Sequence, residues 1–282
     1  MIIANTVIGA REQVKQWKKE SCTVGLVPTM GFLHEGHKSL IDRSAVENDK
    51  TVVSIFVNPI QFGPAEDLKK YPKDFKADSA MCREAKADML FSPEVDEMYS
   101  EDFGTFINVD GLTKTLCGKS RPGHFRGVCT VVAKLFNIIP ANRAYFGQKD
   151  AQQLAVIKRM ARDLSMDIEV IACPIVRESD GLAKSSRNSY LSPEERIAAF
   201  VVSRAVFEGE RLVKSGAKNA GFVISAMEAI VRAEPLAKID YIEIVDLFTM
   251  EKADEINGPV LGALAVYIGK TRLIDNWEFP AK

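Results

Sequence analysis

The chain has 282 residues, and its 37 basic and 38 acidic side chains leave a formal net charge of −1. That balance gives no electrostatic footprint for nucleic acid or an anionic membrane, and no run of 18 apolar residues marks a membrane-spanning helix. Met1–Asn5 lacks the basic and apolar regions of a signal peptide. Five scattered cysteines (Cys22, Cys82, Cys117, Cys129, Cys173), odd in number and without a C-x-x-C, read as reduced thiols and core fillers of a cytoplasmic protein.

In chain order, residues 6–20 form a first amphipathic helix, with Val7, Ile8, Val14 and Trp17 on one side and Lys15, Lys18 and Lys19 on the other. Thr23–Val27 is a short buried strand. It runs into the turn Val27-Pro-Thr-Met-Gly-Phe-Leu-His-Glu-Gly-His37, after which Ser39, Leu40, Ile41 and Ala45 give a helical rhythm. Thr51–Val57 is a β-branched run bounded by Asn58-Pro59, hence a buried parallel strand, with loop from Asn58 to Pro64. A charged helix over 73–87 and a strand over 88–91 follow, and Thr105–Val109 reads as an edge strand. The loop Arg121–Gly127 leads to a helix over 128–139 that Pro140 ends. A strand over 143–146, the turn Gly147-Gln-Lys-Asp150, a helix to Leu164 and a strand over 167–173 complete the alternation. Strand and helix alternate throughout 1–176, which predicts a parallel sheet with helices on both faces. From 177 the pattern changes. A polar loop and Lys184-Ser-Ser-Arg-Asn188 precede a capping box at Ser192–Glu195, a long helix to Val213 and another over 219–233. Alternating stretches at 238–246, 263–270 and 272–276 predict antiparallel strands, so 177–282 is expected to be a small α+β domain hinged near 176–180.

The strand-to-helix turn at 27–37 organises the chemistry. Its helix start offers unpaired N–H groups and a positive dipole end to a phosphate chain. His34 and His37, three apart, share one face of the first turn, where imidazoles can donate to phosphoryl oxygens as charge builds on a leaving pyrophosphate. Gly31 and Gly36 leave room for a nucleotide against the backbone. No neighbouring side chains complete a tetrahedral metal set with the two histidines. Asn58 and Gln61 follow the carboxyl end of a strand, the ligand edge of an open α/β sheet. Gly147-Gln148-Lys149-Asp150 again joins strand to helix, although Asp150 and Gln153 could equally be a capping pair. Lys184–Asn188 is either a solvated loop or a lid, with Gly181 as its pivot and Arg187 suited to bidentate phosphate binding. His124 lies between Arg121 and Arg126, a setting for an anionic ligand. Gly262–Thr271 ends in Gly-Lys-Thr like a P-loop, but its spacing is wrong and it alternates as a strand.

These blocks together resemble the pantothenate synthetase (pantoate–β-alanine ligase) family of the HIGH-motif nucleotidyltransferase superfamily. The segments that carry the resemblance are Pro28–His37, Asn58-Pro-Ile-Gln61-Phe-Gly, Tyr71-Pro, Arg121–Gly127, Gly147–Gln153 and Asp180–Asn188. The resemblance implies a Rossmann-like ATP- and pantoate-binding domain over 1–176 and a lid domain over 177–282. It implies condensation of (R)-pantoate with β-alanine, with ATP as substrate and Mg²⁺ as cofactor, through a pantoyl adenylate that releases AMP and pyrophosphate. It assigns catalysis to His34, His37, Lys149 and Arg187. ATP binding falls to Met30, Gly31, His34, Gly36, His37, Gly147, Gln148, Lys149, Asp150, Val176, Lys184, Ser185, Ser186 and Arg187. Pantoate falls to Gln61, Gln153, His124 and Asn58, and β-alanine to Gln61. It also implies a homodimer. One departure is Lys184, where the family pattern has Met. Two other readings stay open: a nucleotidyltransferase whose product keeps the nucleotide, and an ATP sensor without turnover.

Overall fold

A computed structural model describes residues 1–64 and 66–279. They form two compact units. Residues 1–109, 121–148 and 153–174 make the first, and residues 110–120, 149–152 and 175 onward make the second.

The strands of the first unit are β1 (Ile2–Ala4), β2 (Val24–Thr29), β3 (Lys50–Ile55), β4 (Met89–Phe91), β5 (Arg143–Gly147) and β6 (Glu169–Cys173). They pair in parallel in the order β1-β4-β3-β2-β5-β6. The helices up to residue 163 are α1 (Val7–Lys19), α2 (Glu35–Glu47), α3 (Phe75–Glu84), α4 (Val95–Met98), α5 (Leu116–Ser120), α6 (His124–Ile138) and α7 (Ala151–Asp163), of which α5 lies in the second unit. Because helices cover the sheet, β2 and β3 read as near-continuous apolar runs, with Val24, Leu26, Val27, Val52 and Val53 fully buried. In the interior, Ser44 of α2 and Thr51 of β3 share a 2.8 Å hydrogen bond. Leu40, Ile41, Cys82, Leu90 and Tyr145 close one face of the sheet. Chain order reverses about β2, which has β3 on one side and β5 on the other. The loops after β2, β3 and β5 therefore rise from neighbouring carboxyl ends, at the switch point where open α/β sheets take ligands.

The second unit carries an antiparallel sheet of β7 (Ala237–Asp246), β8 (Val260–Ile268) and β9 (Thr271–Phe279) in that order. The helices α8 (Pro193–Ala198), α9 (Phe200–Lys214) and α10 (Ala220–Arg232) precede it. Val202, Val206, Val223, Met227, Ile244, Leu264 and Trp277 form its core. The P-loop look-alike is strand β8 and its hairpin turn: Gly262 sits inside β8, and Gly269-Lys270 links β8 to β9. No helix among the described residues is long and apolar enough to cross a membrane.

Several elements differ from the expectation. β1 was unforeseen because three residues carry no period, and only its pairing with β4 makes it a strand. Ile8 faces out at 67% exposure, while Ala10, Val14 and Trp17 bury the inner stripe of α1. Thr105–Val109 is not a strand; the Ile107 N–H is taken by Thr130 Oγ1 at 3.0 Å instead of a ladder partner. α6 begins at His124, four residues before Val128, because Gly123 at φ 84° turns the chain directly into the helix. The expected single helix to Val213 breaks at Ala199, where the Val202 N–H bonds the Ala199 carbonyl in a tightened turn. All five cysteines are free, and four are buried. Burial pushes the thiols of Cys82 and Cys129 up to about 12, which leaves them inert.

Candidate active site

The loop after β2 is held from below. Gly31 at φ 84° and Phe32 at φ 50° bend the chain, and a Cβ on Gly31 would come within 3.0 Å of Ile55 Cγ2. The bend aims two N–H groups at Asp78 of α3. Asp78 Oδ2 accepts from the Phe32 N–H at 2.9 Å and Oδ1 from the Leu33 N–H at 2.7 Å. Asp78 is only 3% exposed. Burial pushes its carboxyl above the usual range while the two N–H groups pull it back. In the sequence Asp78 shares a stripe with Cys82 and Ala85, and a carboxylate on an apolar stripe was the available signal.

The two histidines cap α2 reciprocally. His34 is the N-cap, and its Nδ1 accepts from the Gly36 N–H at 3.1 Å. His37 Nδ1 accepts from the His34 N–H at 3.3 Å. This is a capping box with imidazoles in place of Ser and Glu. The rings lie 4.1 Å apart between centroids. Both Nδ1 atoms act as acceptors, so in each neutral ring the proton belongs to Nε2. Helix capping thus sets the tautomer that a phosphate-facing donor requires.

After β3, the 3-10 turn Pro59–Gln61 is locked at both its side chains and its backbone. Asn58, 1% exposed, donates Nδ2–H to Gln61 Oε1 at 2.9 Å and to the Gly127 carbonyl at 3.2 Å, and its Oδ1 accepts from the Tyr99 hydroxyl at 2.8 Å. Gln61 Nε2 lies 3.4 Å from Met30 Sδ. Behind the turn, Glu66 binds Arg121 through both carboxylate oxygens, at 2.6 and 2.7 Å. Arg121 Nη1 lies 2.9 Å from His124 Nε2, and His124 Nδ1 lies 2.9 Å from the Gln61 carbonyl. A guanidinium can only donate and a carbonyl can only accept, so His124 carries its proton on Nδ1. Burial would raise the Glu66 carboxyl, but the Arg121 hydrogen bond and charge hold it down at about 2. Gly127 of α6 lies against this turn so closely that a Cβ there would sit 2.5 Å from Gln61 Cα. A pocket of about 200 Å³ opens beside the turn, lined by Gln61, Phe62, Phe106, His124 and Arg126. Both ring nitrogens of His124 and the whole amide of Asn58 are thus committed to holding the turn that carries Gln61. Sequence reasoning missed Tyr99 and Glu66, which lie in stretches without any motif.

After β5, Gly147 has open space where a Cβ would project, and Gln148 opens the next turn. Of the two adjacent glutamines, the fold uses Gln152: its Nε2 donates to the Leu112 and Thr115 carbonyls at 2.8 and 2.9 Å. Gln153 is half-buried.

In the second unit, Lys149 pairs with Asp150 at 3.6 Å, and its carbonyl accepts from Asn276 Nδ2 at 2.9 Å. The stretch 176–188, expected as an irregular loop, is ordered by hydrogen bonds. The Val176 carbonyl accepts from the Lys184 N–H at 2.9 Å, Arg177 bridges Ala183, and the Glu178 N–H bonds the Leu182 carbonyl. Gly181, at φ 93°, makes the turn of this bridged segment. Ser185 caps the 3-10 turn Ser186–Tyr190, accepting from the Arg187 N–H at 3.3 Å. Asn188 Nδ2 donates to Glu178 Oε1 at 2.9 Å, and Arg196 clamps Glu178 and Asp180 at 2.9 and 2.7 Å. Arg196 holds the Asp180 carboxyl below the usual range, and Asn188 with Arg196 outweighs burial to do the same for Glu178. Lys184, Ser186 and Arg187 thus stand on a braced segment. Arg196 lies in a helix with no site motif, so sequence reasoning could not find it.

A family model described as pantoate-beta-alanine ligase matches residues 2–278. The chain belongs to the pantoate–β-alanine ligase family. Membership makes it an enzyme of the ligase class. The pantothenate synthetase of Ruminiclostridium cellulolyticum is 58% identical over 275 residues, covering 98% of each chain. That of Enterococcus faecalis is 57% identical over 279 residues, covering 99% of each. Among solved structures, the pantothenate synthetase of Thermus thermophilus superposes with a TM-score of 0.93 at 45% identity, covering 98% of this ligase and 99% of that chain. The pantoate-beta-alanine ligase of Francisella tularensis, crystallised with beta-gamma ATP and beta-alanine, gives a TM-score of 0.81 at 34% identity and covers 98% and 97%.

Proposed function

We propose that this enzyme condenses (R)-pantoate with β-alanine at the expense of ATP, through a pantoyl adenylate. A carboxylate is a poor electrophile for an amine. Attack of a pantoate carboxylate oxygen on the α-phosphorus of ATP forms the mixed anhydride and expels pyrophosphate. The β-alanine nitrogen then attacks the acyl carbon, forming the amide and releasing AMP, while the amine gives up its proton. The observation that carries this reading is the histidine pair at the sheet's switch point. Capping ties both Nδ1 atoms and assigns the protons to Nε2, so the rings can donate to phosphoryl oxygens without first being protonated.

The family resemblance adds Lys149, Ser185, Ser186 and Arg187 to the groups that meet the phosphate charge. It adds Met30, Gly31, Gly36, Gly147, Gln148, Asp150, Val176 and Lys184 to the ATP contacts. Gln61 and Gln153 hold the acid, and Gln61 also meets β-alanine. Asn58 and His124 act through Gln61, since their polar atoms are engaged with its side chain and carbonyl. Mg²⁺ arrives with the triphosphate, relies largely on phosphate and water oxygens, and asks for only one or two protein carboxylates. Asp150, half-exposed beside Lys149, is the carboxylate that would hold it. When bound, the ion supplies neutralising charge to the departing pyrophosphate. A cytoplasmic homodimer with its lid in 177–282 completes the proposal on the same resemblance.

The test is isotopic. Pantoate labelled with ¹⁸O in its carboxylate should transfer one label to AMP when β-alanine is present, and pyrophosphate should be released without β-alanine in a single turnover. Unlabelled AMP, or ADP and phosphate as products, would sink the adenylate route.

A further inference from the structure

The hydrogen bonds around Gln61 form a directed chain whose sense is set by groups that cannot reverse. The Gly127 carbonyl can only accept, so the Asn58 atom 3.2 Å from it is Nδ2. That nitrogen also faces Gln61 at 2.9 Å, which makes the Gln61 atom there the acceptor Oε1. The opposite end of the Asn58 amide must be Oδ1, which needs a donor, and the Tyr99 hydroxyl provides it at 2.8 Å. Burial pushes the Tyr99 phenol upward, so its proton is retained. At the far end, Gln61 Nε2 faces the thioether of Met30, a weak acceptor. Every partner agrees on one orientation.

The geometry assigns Tyr99 as a positioning residue that locks the Gln61 amide with its NH₂, and not its carbonyl, turned toward the acid substrate. The inference rests on the proposal that Gln61 holds pantoate. Its consequence is a rule of selection: the substrate atom facing Gln61 is an acceptor, a carboxylate or hydroxyl oxygen. A carboxamide analogue presenting N–H there is rejected. Without the Tyr99 hydroxyl, Asn58 Oδ1 is buried and unpaired, the Gly127 carbonyl alone holds the Asn58 amide, and binding weakens by the fraction of molecules left in the competent orientation.

The experiment is a double-mutant cycle on the full-length enzyme with pantoate, β-alanine and ATP. Tyr99→Phe keeps the ring packed on Phe103, 4.8 Å away between centroids. It should raise the pantoate KM about 10-fold, with the ATP KM within about 2-fold and kcat within about 3-fold. Gln61→Ala should raise the pantoate KM by itself, and adding Tyr99→Phe to it should change that KM by less than about 2-fold. Full additivity of the two, an equal rise in the ATP KM, or an unchanged pantoate KM in Tyr99→Phe overturns the assignment to Tyr99 while leaving Gln61 as the acid contact. An unchanged pantoate KM in Gln61→Ala overturns the underlying reading of Gln61, and the Tyr99 assignment with it. Should Tyr99→Phe fail to fold, Asn58→Ala takes its place in the same cycle, with the same supporting and overturning results.

Discussion

Replacing Gly127 by alanine tests whether the packing of α6 sets the position of Gln61. A Cβ at 127 would stand 2.5 Å from Gln61 Cα and 2.6 Å from the Ile60 carbonyl carbon. Carbon atoms rest about 3.5–4.0 Å apart, so either the 3-10 turn or α6 must give by roughly 1 Å. The neighbouring atoms are backbone and cannot rotate aside as a side-chain tip would. α6 is buried along most of its length, so the turn is the element that yields. Overpacking of this kind costs about 1–3 kcal/mol, a fall in melting temperature of roughly 2–12 °C. Displacing a positioning group by about 1 Å costs on the order of 10²-fold in rate. Gly127→Ala should therefore lower kcat/KM for pantoate by about 10- to 100-fold while the ATP KM stays within about 2-fold. Gly123→Ala is the control. Gly123 has a positive φ of 84°, but a Cβ there would meet nothing within 4 Å, so it should lose about 1–2 kcal/mol of stability from backbone strain alone and keep its pantoate kinetics. Steady-state kinetics at saturating ATP, beside thermal melts of all three proteins, decides the matter. If Gly127→Ala melts lower yet keeps its pantoate kcat/KM, the turn does not depend on α6 and the reasoning fails.

His37→Gln keeps a capping-box acceptor at the same helix position but removes the imidazole; it should melt within about 1 kcal/mol of the parent and lose about 10²–10³-fold in single-turnover adenylate formation, and undiminished adenylation would reduce His37 to a cap. Asp78→Asn offers one acceptor where two N–H groups need one each, so we expect a loss of about 1–3 kcal/mol with a raised ATP KM, both read from melts and kinetics; an unaltered ATP KM would separate the Phe32–Leu33 bend from nucleotide binding. The Glu66 carboxyl is held at about 2 in the fold against an ordinary 4.5, so its contribution of up to about 3 kcal/mol is present above pH ~4.5 and drains away as the pH falls toward 2. The stability difference between the parent and Glu66→Gln should shrink across that window in acid titrations of urea unfolding; a difference independent of pH would show that the Arg121 pair contributes nothing through charge.

Local pattern determined much of this protein. β-branched runs flanked by turn residues marked β2 and β3, and alternation with helices marked a parallel sheet, because burial on both faces demands continuous apolar strands. The motifs around His34, Gln61, Lys149 and Arg187 were legible because each sits at a strand's carboxyl end or in a polar loop, where side-chain identity is freed from packing. What stayed hidden depends on partners distant in the chain. β1 exists only through β4. The carboxylate of Asp78 acts on a loop 45 residues before it, Tyr99 reaches Asn58 41 residues back, and Glu66 reaches Arg121 55 residues on. His124 and Asn58 carry side chains suited to a ligand, and in the sequence nothing distinguishes a side chain left open to a ligand from one engaged within the fold. That distinction comes from the saturation of their hydrogen bonds, which only the tertiary structure supplies, because a donor's direction is fixed by whichever buried acceptor the fold brings within about 3 Å of it.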